Sequence, residues 1–279
     1  MIQPIYDFGG RGADLHLAVA NGFPPPTYAP LLTPLLSDYH AFSLPPRALW
    51  SDEQPPATLH LWDAVADDLL VGLEQHGYRQ VIAVGHSFGG IASIVAALRQ
   101  PERFRALILL DPTLLLPEWW AALDGMLAAG TIGEFPLAAG ALRRRRRFES
   151  EQVAFDYFRA KPLFTQWSDS ALRLYTQSGL RPAAEGGVEL VWSPEWEAYY
   201  FMTGYSRCWE ALAGLRGRLP VLALRGQTSD TFLAQGAELF RQALPEATLI
   251  EIPDHGHLFP HTAPDCAAQH MRDWLAALP

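Results

Sequence analysis

The stretch Val81-Ile82-Ala83-Val84-Gly85-His86-Ser87-Phe88-Gly89-Gly90 constrains this chain more than any other. Four apolar residues run directly into Gly-X-Ser-X-Gly. A helical pattern follows at once, with Ile91, Ile94, Val95 and Leu98 on one side and Pro101 just past its end. A strand, a tight turn and a helix in immediate succession put the serine on a strained bend, its hydroxyl projecting from the top of a sheet. Gly85 and Gly89 have a steric task in such a bend, because a Cβ at either place would press on the neighbouring strand or helix. The bare pattern is short and arises by chance. The strand before it and the helix after it give it weight.

The surrounding pattern is that of an α/β protein. Residues 2–8 and 14–20 predict a β-hairpin turned by Gly9-Gly10-Arg11-Gly12. A helix-like stretch over 28–36, a strand over 39–43 and a Pro-rich loop over 44–57 come next. Residues 58–75 then carry Trp62, Val65, Leu69 and Leu73 on one helical face, with Gly77 as a stop. A buried strand over 80–84, a helix over 87–100 and a strand over 106–110 imply a parallel sheet with helices on its faces. The rhythm stops at Asp111-Pro112. It resumes with a strand over 219–224, a helix over 231–244, a strand over 248–252 and a last helix over about 263–278. The chain therefore divides into a core of residues 1–112 and 216–279 and an insertion over 113–215. The insertion holds Trp119, Trp120, Trp167, Trp192, Trp196 and Trp209.

Composition narrows the partners. The chain has 279 residues, 49% hydrophobic and 18% charged, with a formal net charge of −9. That balance argues against nucleic acid or an anionic membrane as partner. No apolar run approaches the roughly 18 residues that span a bilayer. No basic region followed by an apolar one opens the chain. Cys208 and Cys266 make no disulfide framework and read as buried thiols. These features place the chain in the cytoplasm as an expectation, and they leave a homodimer open.

The residues Asn21 to Pro24, Gly85 to Gly90, Asp230 and Gly256-His257 resemble the α/β-hydrolase family, and the likeness covers nearly the whole chain outside 113–215. The resemblance implies an eight-stranded, mostly parallel sheet flanked by helices, with a helical cap inserted after the sixth strand, where 113–215 falls. It implies hydrolysis of esters, amides, thioesters or activated C–C bonds with no metal and no organic cofactor. Relatives acting on epoxides and haloalkanes carry Asp where this chain has Ser87, which argues against those activities.

A serine hydroxyl is a poor nucleophile at neutral pH. It needs a base within hydrogen-bond reach, and the base needs a carboxylate to fix its tautomer. The family order is Ser, acid, His. Leu224 to Asp230 leaves a strand and enters a turn, resembling the segment that carries the family's acid, so Asp230 is the expected carboxylate. Asp111, also at a strand end, is its rival, since some relatives place the acid there. His257 is the expected base and His255 its rival. Two backbone N–H groups should hold the oxyanion. One is that of Phe88, the residue after the nucleophile. The other is implied by Asn21-Gly22-Phe23-Pro24, which resembles the family's His-Gly-X-Pro loop with Asn in place of His. Pro24 to Pro26 have no N–H to give, so Phe23 is the expected donor.

His86 inside the elbow reads as a packing residue or as one that supports the catalytic side chains from behind. His16, His40, His60, His76, His261 and His270 have no partner visible in sequence. The five arginines Arg143 to Arg147 read as a solvated helix face of the insertion, with an interface or the steering of an anionic substrate as the alternatives. Trp192, Trp196, Tyr199, Tyr200, Phe201 and Tyr205 read as packing of the insertion and as an apolar pocket wall over Ser87. The expected function is that of a serine hydrolase acting on small to medium apolar carboxylic esters through an acyl-enzyme. The alternatives are a C–C bond hydrolase of vinylogous diketones, a cofactor-free haloperoxidase-like activity, or a ligand receptor on a hydrolase fold.

Overall fold

A computed structural model describes residues 2–50, 54–58 and 61–278. Ten strands are present among them: β1 (Tyr6–Gly10), β2 (Ala13–Ala18), β3 (Tyr39–Ser43), β4 (Val81–His86), β5 (Phe104–Leu110), β6 (Arg147–Phe148), β7 (Leu180–Pro182), β8 (Val188–Leu190), β9 (Val221–Gly226) and β10 (Thr248–Ile252). Seven form one sheet in the order β1-β3-β2-β4-β5-β9-β10, parallel except for β1. The expected sheet had eight strands; the described residues supply seven. β4 and β9 are buried along their whole length, as central parallel strands covered on both faces must be.

The hairpin expected from β1 and β2 does not form. β3 lies between them, antiparallel to β1 and parallel to β2. The glycine turn wraps around the start of β3 instead of closing on itself. A Cβ on Gly10 would lie 2.2 Å from Tyr39 O, and one on Gly12 would lie 2.1 Å from Asp38 O. The missing side chains are what let β3 enter.

Helices cover the sheet. The helix-like stretch near residue 30 is a 3-10 turn over Pro25–Tyr28, a short α1 (Ala29–Leu32) and a second 3-10 turn over Thr33–Leu35. Pro30 and Pro34 lack the N–H groups a continuous helix needs. α2 (Asp63–Gln75) starts later than position 58, and residues 59–60 lie outside the described residues, as do 51–53 of the preceding loop. α3 (Phe88–Arg99) follows the elbow, and Leu98, near its end, is only partly buried against the core.

Between β5 and β9 lie α4 (Pro117–Ala128), α5 (Pro136–Leu142), α6 (Glu151–Arg159), α7 (Asp169–Gly179), α8 (Pro194–Met202) and α9 (Cys208–Ala213). α10 (Ala234–Ala243), α11 (Phe259–Thr262) and α12 (Pro264–Ala276) complete the chain.

The segment between β5 and β9 is not purely helical. β6, β8 and β7 form a small antiparallel sheet, with Gly186 and Gly187 at positive φ turning β7 into β8. The arginine run is not a helix face either. α5 ends at Leu142, and Arg147 already belongs to β6. Arg145 pairs with Glu149, Arg146 with Glu195, and Arg147 with Glu185 and Glu189. Apart from Glu149, four residues from Arg145, these carboxylates are distant in sequence and could not be seen in the run itself. Cys208 is a buried free thiol as expected, whereas Cys266 is exposed. Among the described residues no helix is long and apolar enough to cross a membrane.

Candidate active site

The carboxyl ends of β4, β5, β9 and β10 lie along one edge of the sheet, and loops leaving such ends are where an open parallel sheet builds sites. Ser87 leaves β4 with φ 58° and ψ −124°, a strained backbone for a residue with a side chain. The strain is held by close packing. A Cβ on Gly85 would lie 2.6 Å from Gly89 O, and one on Gly89 would lie 2.5 Å from Ala18 O. Ser87 N–H donates to Leu110 O at 3.1 Å, tying the elbow to β5. Phe88 is the first residue of α3, so its N–H has no intrahelical acceptor.

His257, after β10, brings Nε2 to 3.0 Å from Ser87 Oγ. Its Nδ1 lies 2.8 Å from Asp111 Oδ1. A carboxylate only accepts, so Nδ1 carries the proton and Nε2 faces the serine as an acceptor. Asp111 follows β5 at φ 41° and is fully buried. Its Oδ2 accepts Gly226 N–H at 2.7 Å, and its Oδ1 also accepts the Ser229 hydroxyl.

The carboxylate that meets His257 is thus Asp111 and not Asp230, the one expected from the sequence. Asp230 is exposed, with Thr231 Oγ1 donating to it at 3.3 Å. The loop after β9 turns Ser229 inward and Asp230 outward. The last residue of β9 donates Gly226 N–H to Asp111, and the loop donates Ser229 O–H to it. His255, the rival base, is engaged by Thr262 Oγ1 at 2.8 Å instead. Thr113 is an addition the sequence did not flag: its Oγ1 lies 3.3 Å from Ser87 Oγ, and its N–H donates to Ser87 O at 3.2 Å. Its one sequence signal is its position two residues past Asp111.

Of the two readings of His86, the hydrogen bonds favour the supporting one. Tyr28 OH accepts Ala20 N–H at 2.9 Å and meets His86 Nδ1 at 2.7 Å. His86 Nε2 lies 3.0 Å from the main-chain O of His257. A carbonyl can only accept, so Nε2 carries the proton, and Tyr28 donates to Nδ1. Burial, reinforced by the neighbouring His257 and His261, holds His86 well below the ordinary histidine range. It is a neutral bridge between the loop after β2 and the main chain of His257.

That loop carries Asn21 to Pro24. Phe23 N–H donates to Ala20 O at 3.2 Å, a long turn bond, so the expected donor is already engaged. Asn21 Nδ2 donates to Glu197 O at 2.9 Å, where α8 meets the loop. The Phe23 ring stacks on His261 at 5.0 Å and on Trp167 at 6.0 Å, with Tyr175 at 5.6 Å. Phe88 has Tyr200 at 5.0 Å and Trp62 at 5.8 Å. Side chains from the segment between β5 and β9 thus pack against both residues expected to face the oxyanion.

A family model described as alpha/beta hydrolase fold matches residues 20–264. A lipase from Mycobacterium tuberculosis, LipV, is 37% identical over 71 residues, which are 25% of this chain and 27% of that protein's length. Among solved structures, E-2-(acetamidomethylene)succinate hydrolase aligns with a TM-score of 0.79 at 20% identity, over 98% of this chain and 94% of the other. An esterase from M. tuberculosis aligns with a TM-score of 0.74 at 18% identity, over 98% and 88%. At these identities the structural matches speak for the fold alone.

Proposed function

Given that this chain belongs to the α/β-hydrolase fold family, we propose that it is a serine hydrolase cleaving carboxylic esters of small to medium apolar substrates. The observation that carries this reading is the continuous hydrogen-bonded series from Ser87 Oγ through His257 to Asp111, spanning 3.0 Å and 2.8 Å. His257 Nε2 takes the hydroxyl proton as Ser87 Oγ attacks the ester carbonyl. Asp111 holds the ring in the productive tautomer and stabilises the imidazolium that forms. The tetrahedral oxyanion is met by Phe88 N–H, and by Phe23 N–H as it gives up its long bond to Ala20 O. His257 returns the proton to the leaving alcohol, and water releases the acid from Ser87 by the same route. The segment over 113–215 acts as the cap, and its aromatic side chains favour apolar groups.

A fluorophosphonate probe, mapped by peptide mass spectrometry, tests the nucleophile. Wild type is labelled at Ser87 and Ser87→Ala is not. A panel of p-nitrophenyl esters from acetate to dodecanoate tests the substrate class, with steady turnover expected on the short and middle members. Labelling elsewhere, turnover that survives Ser87→Ala, or a burst without turnover would overturn the reading.

A further inference from the structure

Resting on that reading of Ser87, His257 and Asp111, we propose that Arg144 is an electrostatic positioning residue: it cancels the charge of Glu197 beside the oxyanion loop, so that negative charge can develop over Ser87. Arg144 lies between α5 and β6, and Glu197 lies on α8. Their side chains are only 21% and 13% exposed, and they form an ion pair through Arg144 Nη1 and Glu197 Oε2. Arg144 Nη2 donates to Tyr175 OH at 3.0 Å. The pair rests on Gly22, the residue before Phe23. A methyl group there would lie 3.6 Å from Glu197 Oε1 and 3.7 Å from Arg144 Nη1.

The physical problem is the carboxylate. Glu197 supplies its main-chain O to Asn21 and so is tied to the loop. A carboxylate so placed opposes a second negative charge forming nearby, and in a largely desolvated site neither water nor salt screens that repulsion well. A balanced pair leaves little net field at the oxyanion. Removing one partner leaves an uncompensated charge. The two halves of the pair therefore have opposite effects on the reaction, which a purely mechanical tie between cap and loop would not show.

The test compares wild type, Arg144→Met, Glu197→Gln and the double variant on p-nitrophenyl butyrate, with active sites counted by fluorophosphonate titration. Arg144→Met lowers kcat by about 10- to 100-fold and leaves KM within about threefold. Glu197→Gln keeps or raises kcat. The double variant recovers most of the loss, to within about fivefold of wild type. Arg144→Lys, which keeps the charge, also stays within about fivefold. If Arg144→Met does not fold, Arg144→Lys and the double variant carry the comparison: retained kcat in both supports the proposal, and loss in the double variant overturns it. A double variant as poor as Arg144→Met makes the pair a structural tie. A rise in KM confined to esters bearing a carboxylate makes Arg144 a substrate-binding group. Either result overturns the proposal while labelling at Ser87 leaves the hydrolase reading standing; a wild type unlabelled at Ser87 fails that reading itself.

Discussion

Asp111 receives the Nδ1 proton of His257 across 2.8 Å, although 146 positions separate the two along the chain. Its carboxylate is fully buried and is further held by Gly226 N–H and the Ser229 hydroxyl. Asp111→Asn is expected to lower kcat/KM on a p-nitrophenyl ester by about 10³- to 10⁴-fold, because an amide can present N–H to His257 and invert its tautomer. Asp230→Asn, at an exposed position, should stay within about twofold. Near-UV circular dichroism of both variants separates loss of chemistry from loss of fold. The reverse ranking would move the acid to the loop after β9.

The difference between the expected and observed carboxylate shows where sequence reading reaches its limit. The elbow was legible because strand, turn and helix are consecutive, and local sterics force their form. The nearness of His257 to Ser87 was legible from the Gly256-His257 pair after the last strand, which resembles the family's Gly-His segment. The carboxylate partner of His257 was not, because the segments after two neighbouring strands both carry Asp, and only the inward turn of one side chain decides between them. Ser229 points in and Asp230 points out, and nothing in the spacing of Gln227 to Asp230 fixes that. The hairpin failed for a related reason. Strand pairing is set by which element fills the gap, and β3 is distant in sequence. The carboxylates paired with Arg144, Arg146 and Arg147 lie up to 53 positions away, at Glu197, and were equally invisible.

His86 is expected to act through His257. His86→Leu removes both hydrogen bonds that tie Tyr28 to the main chain of His257, and kcat should fall by about 10- to 100-fold with KM little changed, since a small misplacement of a reacting group is enough. His86→Gln can accept from Tyr28 and donate to His257 O, so it should recover to within about fivefold. Equal losses in the two variants would reduce His86 to a packing residue. Steady-state kinetics on one ester, with the folded fraction checked by thermal melting, decides the matter.

Gly89 tests whether the elbow depends on close approach. A Cβ there meets main-chain atoms of Ala18 and Val19 at 2.5 Å and 2.6 Å, so neither neighbour is a flexible side chain that can swing away. Gly89→Ala should destabilise by about 1–3 kcal/mol or more and displace Ser87. Gly125, inside α4 with nothing within 4 Å of its would-be Cβ, is the control. Gly125→Ala should stabilise by about 0.5–1 kcal/mol. Urea denaturation of the two variants should give opposite signs.

Acid lability should trace to three buried histidines. Burial lowers His16 and His261 to about 3, and it holds His86 well below the ordinary range. The folded chain therefore binds fewer protons at these sites than the unfolded chain once pH drops below about 6.5. Stability is complete above that value and, for His16 and His261, is lost as pH falls toward about 3, by about 1.4 kcal/mol per pH unit for each, with His86 acting in the same direction. His261 isolates the effect. Its ring packs against both Phe23 at 5.0 Å and Trp167 at 4.7 Å, and neither nitrogen makes a well-formed hydrogen bond. His261→Phe keeps the stack and removes the titrating group. Between about pH 7 and pH 5, wild type should lose about 2 kcal/mol more than the variant, measured by urea denaturation at each pH. An identical loss in both proteins would mean that this ring already gains its proton in the folded state.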